Sequence, residues 1–395
     1  MPPRKNNSAA PIAEETFHLL ERFTPQVCRS LRTRLIKWYG KQARPLPWRE
    51  SRDPYRIWIS EIMLQQTTVK AVIPYYERFL SRFPTVQTLA AATEEEVLKH
   101  WEGLGYYSRG RNIHRAAQMI CTQYDESFPE AVDEIQKLPG IGRYTAGAIS
   151  SFAFDRPAPI VEANTLRLYC RLLGYDGDPR SKGGQELLWE FATRIQPKDQ
   201  AGLLNQALME LGSLVCTPAS PNCENCPVQE WCAAFVESRQ SEIPAPKVRP
   251  EITQTVEATV AIQCQNQFLI RQRQSDERWA GMWDFPRFPV ESITPEEKFK
   301  TSLPSLFHRE VISRIRSMSE VDITDLNLET EIRHSVTRYR IRLICCSAQL
   351  DEKPLKSLFS NDASWRWESS EALASLPMPI TGRRFANHLI RTGIE

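Results

Sequence analysis

Four cysteines, Cys216, Cys223, Cys226 and Cys232, crowd into one short stretch with the spacing C-x6-C-x2-C-x5-C. Thiolate is a soft ligand, and loops this short let all four sulfurs converge on one metal centre. Structural zinc usually pairs two short C-x2-C knuckles, and only one such pair exists here, so a [4Fe-4S] cluster is favoured over zinc. Glu61 is a second candidate. It lies in Trp58-Ile59-Ser60-Glu61-Ile62-Met63-Leu64-Gln65-Gln66-Thr67, where a helix would surround it with Ile57, Trp58, Leu64 and Gln65. A carboxyl on an apolar wall has its pKa raised, as a general acid near neutral pH requires, although most helix glutamates are simply exposed. Glu162, in Ile160-Val161-Glu162-Ala163-Asn164-Thr165, comes just before another helix. The positive end of that helix should keep it ionised while Glu61 stays protonated.

These side chains need helices to hold them. Residues 15–235 carry apolar residues at helical spacing, punctuated by Pro and Gly. Asp53-Pro54 is a cap and first-turn pair for the Glu61 helix. Over residues 164–173, Leu166, Tyr169, Cys170 and Leu173 share a face, with Asn164 as the expected cap and Gly174 after the end. Leu138-Pro139-Gly140-Ile141-Gly142-Arg143-Tyr144-Thr145 lies between two helical patterns. Its glycines permit a tight hairpin at positive φ, and the next helix start offers N–H groups to phosphate, although such a pair alone is more often an ordinary connection. From about residue 237 to 253 the composition turns to Pro, Ser and charge, which suits a linker. Beyond it the period becomes two: Val256, Ala258, Val260 and Ile262 alternate, and residues 268–272 complete a hairpin. Residues 338–350 read as a strand with Arg338, Arg340 and Arg342 on one face. That face is more often solvated than bound to phosphate.

With 395 residues the chain suits two domains, and 41% hydrophobic with 25% charged residues describes a globular protein. No apolar run approaches the roughly 18 residues of a membrane span, and no membrane partner is expected. The first residues lack the apolar core of a secretion signal and read as a disordered start over 1–14. A net charge of +2 leaves any nucleic-acid surface as a local patch. Ten cysteines in a large chain without a signal suggest an intracellular protein (cytoplasm or nucleoid, if bacterial), with the remaining six as packing residues.

The cysteine spacing after a long helical region, together with residues 138–145, resembles the endonuclease III superfamily, whose motif is the helix-hairpin-helix. Residues 58–67 resemble the catalytic helix of MutY-type adenine DNA glycosylases. The resemblance is strong from about Trp48 to Cys232 and weaker from about Val256 to Leu389. It implies a multidomain fold: an all-α two-lobed helix-hairpin-helix glycosylase domain with a [4Fe-4S] cluster over 15–236, a linker over 237–253, and a C-terminal α/β Nudix-like domain over 254–395. Glu61 would protonate the departing adenine, and Glu162, where the family's usual residue is aspartate, would stabilise the oxocarbenium-like sugar. Asn164 would orient that acid, with Tyr144 flanking the sugar. Endonuclease III-type enzymes place a Schiff-base lysine at the position of Tyr144, so hydrolysis without strand cleavage is expected. Gln66 and Tyr106 match wedging residues that fill the gap left by a flipped base, and Gln65, Arg109, Gly140 and Gly142 join them as DNA-binding candidates. The segment Trp279-Ala280-Gly281-Met282-Trp283-Asp284-Phe285-Pro286 resembles the start of the Nudix-like domain that reads 8-oxoguanine opposite the adenine. Hydrolytic Nudix chemistry needs a helix of metal-binding glutamates, and residues 294–313 offer only Glu296, Glu297 and Glu310. Relatives touch the lesion with Phe-Ser-His; the matching residues are Val336-Thr337-Arg338, where Thr337 keeps a hydroxyl. The expected partner is double-stranded DNA with adenine opposite 8-oxoguanine or guanine, bound by a monomer. An endonuclease III-like enzyme of damaged pyrimidines and a non-catalytic lesion-binding protein are the alternatives.

Overall fold

In a computed structural model of the chain, the described residues are 14–246, 251–297, 303–351 and 364–392. The expected disordered start up to residue 13, and residues 247–250 of the expected linker, lie outside them. The chain divides into two compact units: Met1–Ala90 with Arg115–Val248, and Ala91–His114 with Arg249–Glu395. Helical periodicity shows that residues 91–114 have an apolar face but not which partner covers it, and here the cover comes from the C-terminal residues.

The first unit is helical. Its buried core joins Leu31 and Leu35 of helix Pro25–Gln42, Tyr169 and Leu172 of helix Ala163–Leu173, Phe191 of helix Lys182–Arg194, and Leu208 and Leu211 of helix Ala201–Leu214. Phe191 meets Phe23 and Tyr169 edge-on, at ring-centroid distances of 4.6 and 5.2 Å. Helix Pro54–Leu64 starts as its sequence dictates: Asp53 caps it by accepting from the Tyr55 N–H at 2.9 Å, and Pro54 opens the first turn. Nearly all of its side chains from Tyr55 to Met63 are buried, so it runs through the interior and takes Glu61 there with it. Helix Ala163–Leu173 is capped two positions earlier than expected, by Glu162 and not Asn164. The Glu162 carboxylate accepts from the N–H groups of Asn164 and Thr165, while the Thr165 hydroxyl accepts from the Glu162 N–H, a reciprocal capping box.

The second unit is built on a seven-stranded mixed sheet: β1 (Thr253–Cys264), β2 (Gln267–Gln272), β3 (Trp283–Asp284), β4 (Arg287–Pro289), β5 (Asn327–Val336), β6 (Tyr339–Leu350) and β7 (Trp365–Ser369). The order is β3-β2-β1-β6-β5, with β4 also on β1 and β7 on β2. β1 and β6 run parallel and the other pairs antiparallel. Val256, Ala258, Val260 and Ile262 face one core with Phe307, Val311 and Ile315 of helix Ser305–Ser319. Ala261 faces the other, with Phe385, Ala386 and Leu389 of helix Ile380–Thr392. β1 is thus buried on both faces, as a central strand of an α/β layer must be. The arginine row departs from the expected solvated face at one position. Arg338 and Arg340 are exposed, but Arg342 is buried and pairs with Glu331 at 2.9 Å, because β5 lies alongside and supplies the acid.

Candidate active site

The interior course of helix Pro54–Leu64 brings Glu61 to the wall of a cavity of about 1050 Å³, lined also by Gln65, Gln66, Tyr144, Glu162 and Asn164. Glu61 is 4% exposed. Its Oε2 accepts a hydrogen bond of 2.6 Å from the Tyr144 hydroxyl, and Tyr144 stands in the first turn of helix Arg143–Phe154. Burial pushes the Glu61 carboxyl up to about 7, with the nearby Glu162 charge adding to the rise against the Tyr144 hydrogen bond. The Tyr144 phenol is raised by burial and by both acids, so it remains a donor.

Glu162 is half-buried and held by hydrogen bonds. Its capping bonds are joined by the Asn164 side-chain amide at 3.3 Å, and Arg167 in turn donates to Asn164 Oδ1 at 3.0 Å. Burial raises its carboxyl above the ordinary value, opposed by the N–H groups of Asn164 and Thr165 and by Arg167. Helix-end stabilisation is therefore present but does not win outright.

The cavity is also lined by residues that sequence reasoning missed. Glu210, on helix Ala201–Leu214, is 1% exposed and receives Arg44 through both oxygens at 2.8 Å and Arg49 at 2.8 Å. Burial would lift Glu210, but the two guanidiniums outweigh it and hold the carboxylate at about 2. Trp48, Gln206, Met209 and Ser213 line the same cavity, with Met209 Sδ 3.8 Å from the Tyr144 hydroxyl. The signal was there to read: a lone acid in the apolar helix Ala201–Leu214 demands a cation, and Arg44 and Arg49 flank the Leu46-Pro47-Trp48 segment.

Around the hairpin, Gly140 has φ +78°, whereas Gly142 does not need glycine's freedom, with φ −94° as cap of helix Arg143–Phe154. A Cβ at Gly142 would meet nothing within 4 Å, so what glycine supplies there is an open approach to the helix start. Gln65 reaches the Thr145 hydroxyl at 3.4 Å, and Gln66 is exposed just past the acid helix. In the second unit Tyr106 is 55% exposed, while Tyr107 is buried. Thr337 is exposed in the two-residue turn between β5 and β6. Gln66, Tyr106 and Thr337 all adopt left-handed backbone, at φ +58°, +48° and +53°. They share this conformation with other non-glycine residues, among them Asp125, Gln200 and Gln265. Arg109 lies differently from expectation: it is 8% exposed, its guanidinium donates to the carbonyls of Leu104 and Gly105, and it shapes the loop instead of facing a phosphate.

Residues 59–194 match the model of the HhH-GPD superfamily of base excision DNA repair proteins, and residues 258–388 match that of the NUDIX domain. An adenine DNA glycosylase of Buchnera aphidicola (subspecies Schizaphis graminum) is 39% identical over 66% of this chain and 76% of its own length. A second, from the Baizongia pistaciae subspecies, is 32% identical over 88% of this chain and 93% of its own. The chain belongs to the adenine DNA glycosylase family. As a family member it is a base-excision repair enzyme that acts on N-glycosyl bonds. The mouse adenine DNA glycosylase is 42% identical over 56% of this chain and 45% of its own length. A solved thermostable thymine-DNA glycosylase superposes at TM-score 0.50 with 27% identity, over 54% of this chain and 99% of that one.

In this adenine DNA glycosylase, Cys216, Cys223, Cys226 and Cys232 surround one small cavity together with Leu168, Leu172 and Arg171. Among the described residues no three His, Cys, Asp or Glu side chains form a group that could hold a metal ion. The donor set nonetheless suits iron and sulfur: four thiols and no imidazole or carboxylate line the cavity. Burial pushes the thiol of Cys226 up to about 12 and that of Cys232 to about 11, with mutual repulsion adding to both. Thiols raised in this way become thiolates together only around a cation. Arg171, 2% exposed, braces the site through Cys216 Sγ and the carbonyls of Thr217, Pro218 and Ile243.

Proposed function

We propose that the enzyme removes adenine opposite 8-oxoguanine or guanine from double-stranded DNA, as a monomer and by hydrolysis, and leaves the strand intact. A helical domain over 15–236 does the chemistry, and the domain over 254–395 reads the opposite base. Adenine in a duplex is out of reach, so it must be flipped into the cavity. Trp48 offers a flat apolar surface there, and Arg44 and Arg49, held in place by Glu210, offer donors to a purine edge. Protonated Glu61 delivers its proton to the base as the bond breaks. Glu162, oriented by Asn164, faces the cation that develops on the sugar, and water completes the reaction. Among the described residues the cavity wall contains no lysine, so no amine is at hand for a Schiff base. Gln66 and Tyr106 fill the gap, the Gly140–Gly142 hairpin and the helix start behind it take backbone phosphate, and Thr337 meets the 8-oxoguanine. Glu310 is occupied with the N–H groups of Glu291 and Ser292, which supports recognition over pyrophosphate hydrolysis. The four cysteines would hold a [4Fe-4S] cluster, which supplies a cross-link and no catalytic group.

The observation that carries this reading is a buried acid at about 7, bonded to a tyrosine that stands where a nicking enzyme has its lysine. With an adenine–8-oxoguanine duplex, strand breaks should form only after alkali, and borohydride should trap little protein. Breaks without alkali, with efficient trapping, would overturn the hydrolytic mechanism. Iron analysis should find one cluster per chain; stoichiometric zinc would overturn that assignment.

A further inference from the structure

Helix Glu94–Trp101 ends in Glu102, and the loop that follows bends through three left-handed residues, Gly103, Gly105 and Tyr106, at φ +101°, +72° and +48°. Such a path persists only when its surroundings hold it. Part of the hold is local: Trp101 Nε1 donates to the Gly105 carbonyl at 3.2 Å, and Arg109 lies 5.6 Å from the Tyr106 ring centroid. The rest comes from C-terminal residues of the same unit. On the incoming side, Arg383 of helix Ile380–Thr392 grips both oxygens of Glu102, at 2.8 and 3.2 Å, and the Met378 N–H adds a third bond at 3.3 Å. Both side chains of the pair are largely sequestered, at 17% and 15% exposure. On the outgoing side, Arg111 donates to the Ala280 carbonyl. Between these anchors the Trp279–Pro286 segment docks on helix Glu94–Trp101. Trp283 Nε1 donates to Glu95 at 3.2 Å, and a Cβ on Gly281 would stand 3.1 Å from Glu94 and 3.2 Å from Leu98.

We propose that Arg383 is a positioning residue for adenine excision: through Glu102 it sets the loop that presents Tyr106, so the domain that reads the opposite base also holds the wedge. The same contacts give the Trp279–Pro286 segment a role as the bearing surface of that loop. This inference rests on Tyr106 acting as the wedge. Removing Arg383 takes away the bidentate partner and leaves the Glu102 carboxylate with Lys99 at 3.4 Å and the Met378 N–H. Truncation should let the loop relax and misplace the ring.

The test is a double-mutant cycle in the full-length protein, read by single-turnover adenine excision and by the fluorescence of 2-aminopurine placed beside the target. Arg383→Ala should slow excision by about tenfold, the scale of a small misplacement at a reacting site, and lower the unstacking signal. In a Tyr106→Ala background, adding Arg383→Ala should have less than about a twofold further effect, since coupled residues do not add. Glu102→Gln should reproduce the single-mutant phenotype if Arg383→Ala folds poorly, and the exchange Glu102→Arg with Arg383→Glu should recover part of the rate. A tenfold loss from Tyr106→Ala with no effect of Arg383→Ala or Glu102→Gln overturns the inference and leaves the wedge standing. Additive losses overturn it too, because Arg383 then acts by another route. No effect of Tyr106→Ala removes the wedge reading itself, and this inference with it.

Discussion

Two walls of one cavity each bury a glutamate, and they treat it in opposite ways. Glu61 sits among apolar side chains with one tyrosine hydroxyl and is pushed up to about 7; Glu210 sits against Arg44 and Arg49 and is held at about 2. Burial acts on both in the same direction, so the partner decides. A hydroxyl leaves the proton available for transfer, whereas two guanidiniums fix a permanent charge that can orient a ligand and brace the wall. Glu162 stands between these extremes, lifted by burial and restrained by two backbone N–H groups and Arg167.

The largest effect is expected at Glu162. Gln in its place keeps an acceptor for the helix cap and removes the charge, so Glu162→Gln should lower single-turnover excision by about 100-fold, or about 2.7 kcal/mol of barrier, with DNA affinity little changed. A wild-type rate from this variant would show that the cation on the sugar is stabilised elsewhere. At Glu210, Arg49→Ala leaves a buried carboxylate short of a partner and should destabilise the fold by on the order of 3 kcal/mol in denaturant titration. Glu210 is depressed from its unfolded value, so its stabilisation is complete above the ordinary carboxylate range and disappears as pH falls toward about 2. Arg49→Ala should flatten that acid limb, and an unchanged limb would mean that Arg44 alone holds the charge. The smallest effect is expected in the other unit. Thr337→Val removes one hydroxyl, about 0.5–1.5 kcal/mol, and should narrow the preference for 8-oxoguanine over guanine by severalfold. Equal losses on both substrates would assign Thr337 to the turn alone.

Much of the Glu61 wall was legible because its signals are local. An Asp-Pro cap, an apolar helix with one acid in it and a glycine hairpin can each be read within a dozen residues. The Glu210 wall was not, because Arg44 and Glu210 lie 166 residues apart and only packing of helix Ala201–Leu214 brings them together. Resemblance made Arg109 a DNA-binding candidate, but it could not show that the loop's own carbonyls take the guanidinium. The cap of helix Ala163–Leu173 was misread by two positions because asparagine is the commoner cap; a glutamate there reaches the same N–H groups with its longer side chain. In the sheet, alternation gave β1 its inward face but could not show β5 beside Arg342.

In the proposed mechanism Glu61 works as an acid because its wall keeps it protonated near neutral pH. Its folded pKa is raised, so the active form is present below about 7 and is lost as pH climbs through that value. The most direct measurement is the single-turnover rate of adenine excision from pH 5 to 9 with DNA saturating. The rate should hold near neutrality and then fall by about tenfold per pH unit on the alkaline side, with Glu61→Gln inactive throughout. A rate that stays level to pH 9, or a Glu61→Gln variant that retains the wild-type profile, would contradict the account.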